Sequence, residues 1–182
     1  MKENKQTGTY SITAFEQWPL SLLCDYVLSI HHRNTRIYGQ KLIDEIEALR
    51  HAHPEVEDLQ RLLDLVRSSY EALDEHCSKE EMVLFPQFDE LIQAENDQRQ
   101  PAPFHCGTVR APIHVMNRDH GEELERWTEI LSICANLETR GHEFEPLCEG
   151  LRRFHEGMKE HIWLEDELIF PQAIALENAL CG

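Results

Sequence analysis

Two segments of this chain follow the same pattern, HCSKEEMVLFP at 76–86 and HIWLEDELIFP at 161–171. Each begins with His, has Glu four places later and ends in Phe-Pro. A His and a Glu four residues apart project from the same face of an α-helix, about 6 Å apart along its axis. The repeat therefore predicts two helices that present the same polar pair, in a chain whose halves are an approximate tandem duplication of a helical hairpin.

Gly and Pro divide the chain into four amphipathic runs, and no segment alternates as a strand would. The runs are predicted at roughly 18–50, 55–94, 112–138 and from 144–146 to about 178. Between the second and third runs, roughly 95–111, lies an irregular stretch with Pro101, Pro103 and Gly107. This pattern favours an all-α fold, an antiparallel four-helix bundle made of two hairpins related by a pseudo-twofold repeat. We assign 18–182 to the bundle and 1–17 to an N-terminal extension.

Each run has a mainly apolar stripe, and each stripe contains one His. In the second and fourth stripes a Glu follows one turn later. These six stripe residues are His32, His76, Glu80, His120, His161 and Glu165. Polar groups at core positions are costly unless they are paired or bound to a metal. Imidazole and carboxylate together suit iron, manganese or zinc, whereas calcium prefers oxygen ligands alone, so the stripes predict a buried site for two metal ions.

Residues beside these six offer alternatives. His31 is the alternative to His32 as a metal ligand. We favour His32, because the stripe that joins Leu28 to Leu42 passes through it. Glu81 and Asp166 each adjoin a proposed Glu ligand on the neighbouring helix face, and we interpret them as solvated carboxylates or as groups that support the ligands from outside.

The third stripe runs through His120 and Leu124. Asp119 and Glu123 flank His120 and are interpreted as exposed helix charges. The alternative for these two carboxylates is a path for ions or protons.

Composition narrows the classes of partner. The 182 residues carry 34 acidic and 17 basic side chains, a formal net charge of -17, so neither nucleic acid nor an anionic membrane is expected as a partner. No apolar run is long enough to span a bilayer, and the N-terminal residues lack the apolar core of a signal peptide. The six cysteines form no CxxC pair, which favours reduced thiols and a cytoplasmic location.

The set of residues resembles the hemerythrin-like fold, a four-helix bundle that holds a non-haem di-iron centre. Oxygen-carrying hemerythrins follow H…HxxxE…HxxxH…HxxxxD, whereas here Leu124 stands four places after His120 and the fifth His is missing. Four His and two Glu, with HxxxE in both halves and the LFP and IFP endings, are similar to the Repair of Iron Centers proteins. These are di-iron proteins that repair iron–sulfur clusters under nitrosative and oxidative stress. The resemblance covers roughly residues 20–175.

The resemblance implies a cofactor and a function. The implied cofactor is two non-haem iron ions, bridged by the two Glu side chains and by an oxo or hydroxo group. The implied iron ligands are His32, His76, Glu80, His120, His161 and Glu165. The implied function is support of the repair of damaged iron–sulfur clusters, by iron donation, by nitric oxide chemistry or by both. Nitric oxide, oxygen and damaged iron–sulfur proteins are the implied partners.

Two points stay open on the sequence. A hemerythrin-like carrier or sensor, which binds oxygen or nitric oxide without turnover, is the alternative function. Many members of the family also begin with a small domain that bears adjacent cysteines, and this sequence has no Cys-Cys pair. Whether steps that depend on those thiols occur here is the second open point.

Overall fold

The chain forms four long helices in a computed structural model that describes residues 14–182. Helix α3 is a single segment, and α1, α2 and α4 each contain a π-helical segment. In chain order the segments are Leu20–Tyr26, Val27–His32 and Arg33–Ala52 in α1; Asp58–Lys79, Glu80–Leu84 and Phe85–Asn96 in α2; Arg110–Glu138 in α3; and Glu145–Leu164, Glu165–Ile169 and Phe170–Cys181 in α4. Short 3-10 turns at Phe15–Gln17 and His142–Phe144 precede α1 and α4.

The all-α prediction is confirmed over residues 14–182, where no strand occurs. Each predicted run agrees with its helix to within a few residues at both ends. The predicted N-terminal extension 1–17 lies mostly outside the described residues, and its last part forms the first 3-10 turn. None of the helices in the described part of the chain is long and apolar enough to cross a membrane.

The π-helical segments of α2 and α4 have a common cause. Pro86 and Pro171 lie in the first turn of the α-helical segment that follows each of them. Proline has no backbone N–H and its ring collides with the preceding turn, so an uninterrupted α-helical ladder is not possible there. The helix widens locally and then continues, as π-bulges do, often at functional sites. The widened segments begin at Glu80 and Glu165.

The apolar side chains form two separate clusters along the bundle. One is built around Trp127, Leu62 and Leu151, and the other around Phe88 and Leu23. In α1, α2 and α3 the proposed ligand residues fall between the stretches that enter these two clusters, and in α4 they flank the point at which one cluster gives way to the other. Buried polar side chains therefore occupy a layer between two apolar cores, which exclude water from both sides of it.

A hydrogen bond connects the end of the irregular stretch before α3 to α4. The backbone N–H of Val109 donates a 2.9 Å hydrogen bond to Glu177 Oε1. All six cysteines are free thiols in the structure, and four of them are buried. Cys134 packs as a small apolar side chain in the cluster around Trp127, and Cys77 is buried beside His32.

Candidate metal centre

The six proposed ligand residues lie together in the polar layer, although they come from four helices. All are buried, with exposed fractions of 0 to 5%. Two groups of potential ligand atoms form, and within each group the atoms lie within 4.8 Å of one another. The first group is His32, Glu80, His161 and Glu165, and the second is His76, His120 and Glu165.

Both carboxylates lie between the two groups of imidazoles. Glu80 Oε2 is 3.3 Å from His32 Nε2 and 3.4 Å from His76 Nε2. Glu165 Oε1 accepts a 2.6 Å hydrogen bond from His161 Nε2, and its other oxygen is 3.1 Å from His120 Nε2. Each Glu thus reaches one imidazole of each group, which is the arrangement that a carboxylate shared by two metal ions needs.

The donor set fits a metal because several of its atoms are otherwise unsatisfied. In the part of the chain that the structure describes, His32 Nε2, both oxygens of Glu80 and Glu165 Oε2 are buried without a hydrogen-bond partner. A buried polar atom left unpaired destabilises the fold by about 1–3 kcal/mol. His76 Nε2 and His120 Nε2 face each other at 3.2 Å. Imidazole nitrogens and carboxylate oxygens arranged in this way suit iron.

A carboxylate on α2 holds His32 from the opposite edge of its ring. Nδ1 of His32 donates a 2.8 Å hydrogen bond to Glu81 Oε1. Glu81 in turn accepts 2.8 and 3.3 Å hydrogen bonds from Arg36, which also donates to Asp74 at 2.6 Å. Because Nδ1 carries the proton, Nε2 presents its lone pair to the centre.

The same arrangement recurs at α3 and α4. His120 Nδ1 donates a 2.9 Å hydrogen bond to Asp166 Oδ1. His76 Nδ1 is 3.9 Å from Asp119 Oδ2. Glu81 and Asp166 therefore support the proposed ligands from outside, one of the two interpretations that their sequence positions left open. Carboxylates that fix a metal-binding imidazole in this way also raise its basicity.

The comparisons with known proteins agree with this geometry. The family model of the hemerythrin HHE cation binding domain matches residues 26–173. This chain belongs to the hemerythrin family. Membership implies iron binding, and the cluster of His and Glu side chains is where iron would be held. The resemblance stated from the sequence is confirmed at the level of the family.

Several relatives of this hemerythrin-family chain share one name. This chain is 27% identical over 173 residues to the iron-sulfur cluster repair protein YtfE of Yersinia pseudotuberculosis serotype IB (strain PB1/+), and the match covers 93% of this chain and 72% of the relative. The protein of the same name from Yersinia pestis (strain Pestoides F) has the same identity and coverage. The one from Yersinia pseudotuberculosis serotype O:3 (strain YPIII) is 26% identical over the same coverage.

The buried imidazoles and carboxylates shift one another's pKa values. Burial acts to lower the pKa of His32, but the neighbouring Cys77 and Glu165 side chains raise it to about 12. Burial also acts to lower the pKa of His120, but the adjacent carboxylates raise it to about 9. Burial acts to raise the pKa of Glu165, yet His161 and His120 hold it well below its ordinary value. Protons therefore occupy the metal-free site, and a metal must displace them.

A buried carboxylate next to the centre was not expected from the sequence. Glu123, interpreted as an exposed charge, is only 4% exposed, whereas Leu124 on the predicted stripe is 36% exposed. Ser69 Oγ and Trp127 Nε1 both donate to Glu123 Oε1, the second at 3.0 Å, and Arg126 donates to Oε2. Burial raises the pKa of the Glu123 carboxyl, and these hydrogen bonds oppose the rise. Ser69, a lone hydroxyl on an apolar stripe, was the available signal of a buried partner.

His31, the rival to His32, lies outside both groups of potential ligand atoms. Its ring stacks on that of His161, with centroids 5.4 Å apart and planes at 16°. Burial, and then the charge of His161, lower the pKa of His31 to about 4. Its imidazole is therefore neutral at ordinary pH and adjoins the centre without facing it.

Proposed function

We propose that this chain is a non-haem di-iron protein that supports the repair of iron–sulfur clusters damaged by nitrosative or oxidative stress. Each iron would be held by two imidazoles, and Glu80 and Glu165 would bridge the pair, with an oxo or hydroxo group completing it. The observation that carries the proposal is the position of these two carboxylates, since each reaches an imidazole of both groups. The names of the relatives supply the class of function.

The finer architecture that we propose is an antiparallel bundle with an internal twofold repeat. Two ion pairs between the first helices support the antiparallel part, because Arg36 pairs with Asp74 while Glu47, further along α1, pairs with the earlier Arg67. The repeat is supported by the matching π-helical segments, since Glu80 begins one and its counterpart in α4 begins the other.

Bound iron would supply redox chemistry and coordination positions for small ligands such as nitric oxide or oxygen. The protein's own contribution is positional and electrostatic. Glu81 and Asp166 hold two imidazoles with Nε2 directed inward, and the two apolar clusters keep bulk water from the layer between them. The same buried donor set could release iron to a damaged iron–sulfur protein when protons return to the imidazoles.

The proposed setting is the cytoplasm, and the proposed partners are nitric oxide, oxygen and damaged iron–sulfur proteins. The reduced, partly buried thiols and the acidic composition support a cytoplasmic protein without nucleic-acid or membrane partners.

The decisive experiment measures metal first and repair second. Protein purified without added metal is expected to contain about two irons per chain, with the Mössbauer spectrum of a coupled non-haem pair. Mixed with an iron–sulfur enzyme inactivated by nitric oxide, it should restore that enzyme's activity while losing iron. One tightly bound zinc and no iron would refute the di-iron proposal.

A matched pair of variants tests whether repair depends on the metal centre. Glu165→Ala is expected to abolish recovery of the damaged enzyme, whereas Glu167→Ala, on an outer face of the same helix, should leave recovery unchanged. Reversible oxygen binding by wild-type protein, without any recovery of the damaged enzyme, would instead identify a carrier or sensor.

A further inference from the structure

A groove of about 700 Å³ between α1 and α4 leads from the surface to His31. Gly157 lines it, and a Cβ atom added there would meet nothing within 4 Å. At its far end the cations are paired, Lys41 with Glu45 and Arg153 with Glu149. The groove therefore borders a residue that contacts the proposed iron ligand His161.

One nitrogen of the imidazole at the inner end of this groove lacks a hydrogen-bond partner. His31 is 7% exposed, and in the described part of the chain its Nε2 atom is buried without a hydrogen bond. The nearest carboxylate oxygen is Glu160 Oε1, at 3.9 Å. Since the His31 ring stacks on His161, this nitrogen lies one ring away from the proposed iron centre.

Glu160 is the charged group beside His31, and it too is uncompensated. Its side chain is 45% exposed, and Tyr26 donates a 3.4 Å hydrogen bond to the oxygen that faces His31. Among residues 14–182, no Lys or Arg nitrogen lies within 4.0 Å of this carboxylate. An imidazole nitrogen and a mobile carboxylate at this separation need only a small side-chain rotation to share one ion, since metal–ligand distances are about 2.0–2.2 Å.

We propose that His31 and Glu160 form a transit site, at which a ferrous ion binds on its way into and out of the buried centre. The inference rests on the proposed di-iron function, because iron donation requires a route to ligands that are 0 to 5% exposed. With only two protein ligands, the ion keeps most of its water, so binding is weak and exchange is fast. His161, stacked on His31, is the first permanent ligand that the ion meets.

A second cavity, of about 170 Å³, borders the opposite side of the centre at His76 and His120. Lys79 and Arg126 line it together with Asp119. It is smaller, and each of the four carboxylates that line it is already paired with a Lys or Arg, whereas Glu160 in the groove has no such partner among residues 14–182. It supplies the matched control for the transit site.

The test follows the rate at which metal-free protein takes up ferrous ion under anaerobic conditions, with samples quenched by a chelator and iron counted on the protein. His31→Phe keeps the ring stacked on His161 and removes both nitrogens, and Glu160→Gln keeps the acceptor and removes the charge. Each is expected to slow uptake, and chelator removal, by about tenfold, the lower range for losing a metal-site partner. The final iron content should equal that of wild type, because the six proposed ligands are untouched.

Three further variants decide between routes. Gly157→Leu fills the groove while favouring the helix, and is expected to slow uptake as well. Glu149→Gln, at the outer end, and Glu122→Gln, which lines the second cavity, should leave the rate unchanged. Slower uptake in Glu122→Gln with wild-type rates in the His31 and Glu160 variants would overturn the transit site.

The outcome also distinguishes the transit site from the function on which it rests. Wild-type protein that takes up no iron would overturn both proposals. Wild-type protein that reaches full iron content, with uptake equally fast in His31→Phe and Glu160→Gln, would overturn the transit site alone and leave the di-iron centre intact.

Discussion

Glu81 Oε1 accepts a 2.8 Å hydrogen bond from His32 Nδ1, on the edge of the imidazole opposite the nitrogen that faces the centre. Arg36 holds the same carboxylate through two further hydrogen bonds. The relationship fixes the ring orientation of His32 before any metal binds, and it leaves Nε2 as the nitrogen from which a metal displaces a proton. A proposed ligand from α1 is therefore positioned by α2, which couples the two helices to the site.

Removing this carboxylate should weaken metal binding without removing a ligand. Glu81→Ala is expected to lower metal affinity by about 10–100-fold, because His32 loses the group that orients it. Chelator competition on wild-type and variant protein measures the change. Glu75→Ala, at a 70% exposed position of the same helix, is the control. Equal affinity in Glu81→Ala and wild type would mean that packing alone orients His32.

The two shared carboxylates predict a stoichiometry. Glu80→Ala is expected to retain the first iron and lose most of the second. The variant lacks one bridge between the two ions, and that same side chain was a ligand shared by both groups. Glu165→Ala should do the same. Iron analysis and the loss of magnetic coupling in the Mössbauer spectrum report the change. A variant that keeps about two coupled irons would show that the missing carboxylate was not a bridge.

Protons and metal compete for the same nitrogens, so metal binding should depend on pH. In the metal-free protein the pKa of His120 is raised to about 9. A raised imidazole pKa stabilises the folded protein at pH values below the ordinary pKa of 6.5, and this stabilisation is lost as the pH rises through the pKa of the folded state. Metal affinity moves the other way and should increase by about tenfold per pH unit for each proton displaced.

Calorimetry in buffers of different ionisation enthalpy counts the protons released when ferrous ion binds between pH 6 and 8. Release is expected to be positive throughout that range and smaller in Asp166→Asn, which removes the carboxylate that raises the pKa of His120. Binding without proton release would contradict a protonated metal-free site.

Much of the site could be predicted because helical periodicity fixes which side chains share a face. His32 and Glu80 stand on apolar stripes, and a polar residue there needs a buried partner. Three features did not follow from periodicity: the burial of Glu123, the contact of Glu81 with His32, and the groove at His31. In α3 the buried positions run through His120, Glu123 and Trp127, so the stripe passes through Glu123 and leaves Leu124 at its edge.

The remaining contacts depend on long-range geometry that spacing along the chain does not contain. The choice of Glu81 as the partner of His32 joins two helices, and only the packed bundle brings them together. The groove at His31 likewise depends on how α1 and α4 meet. Adjacent positions such as His31 and His32 differ by about 100° around a helix, so the stripe could rank them but could not describe what each one contacts.

The buried Glu123 leads to a prediction about stability. Its pKa is raised above the ordinary value of 4.5, chiefly by burial. The folded protein therefore binds more protons than the unfolded chain between 4.5 and the folded pKa, so this carboxyl makes stability fall as pH rises through that window. Glu123→Gln cannot titrate, and its free energy of unfolding relative to wild type is expected to increase from pH 4.5 toward neutrality.

Urea unfolding of metal-free wild type and Glu123→Gln at several pH values measures that difference, and Ser69→Ala tests the network independently. Loss of the Ser69 hydroxyl leaves Trp127 Nε1 and the carboxylate with one partner fewer, which should destabilise the fold by about 1–3 kcal/mol. Glu122→Gln, at a 66% exposed position one residue away, should follow wild type at every pH. A constant difference between Glu123→Gln and wild type across the range would show that Glu123 stays ionised in the folded protein, held by Arg126 despite its burial.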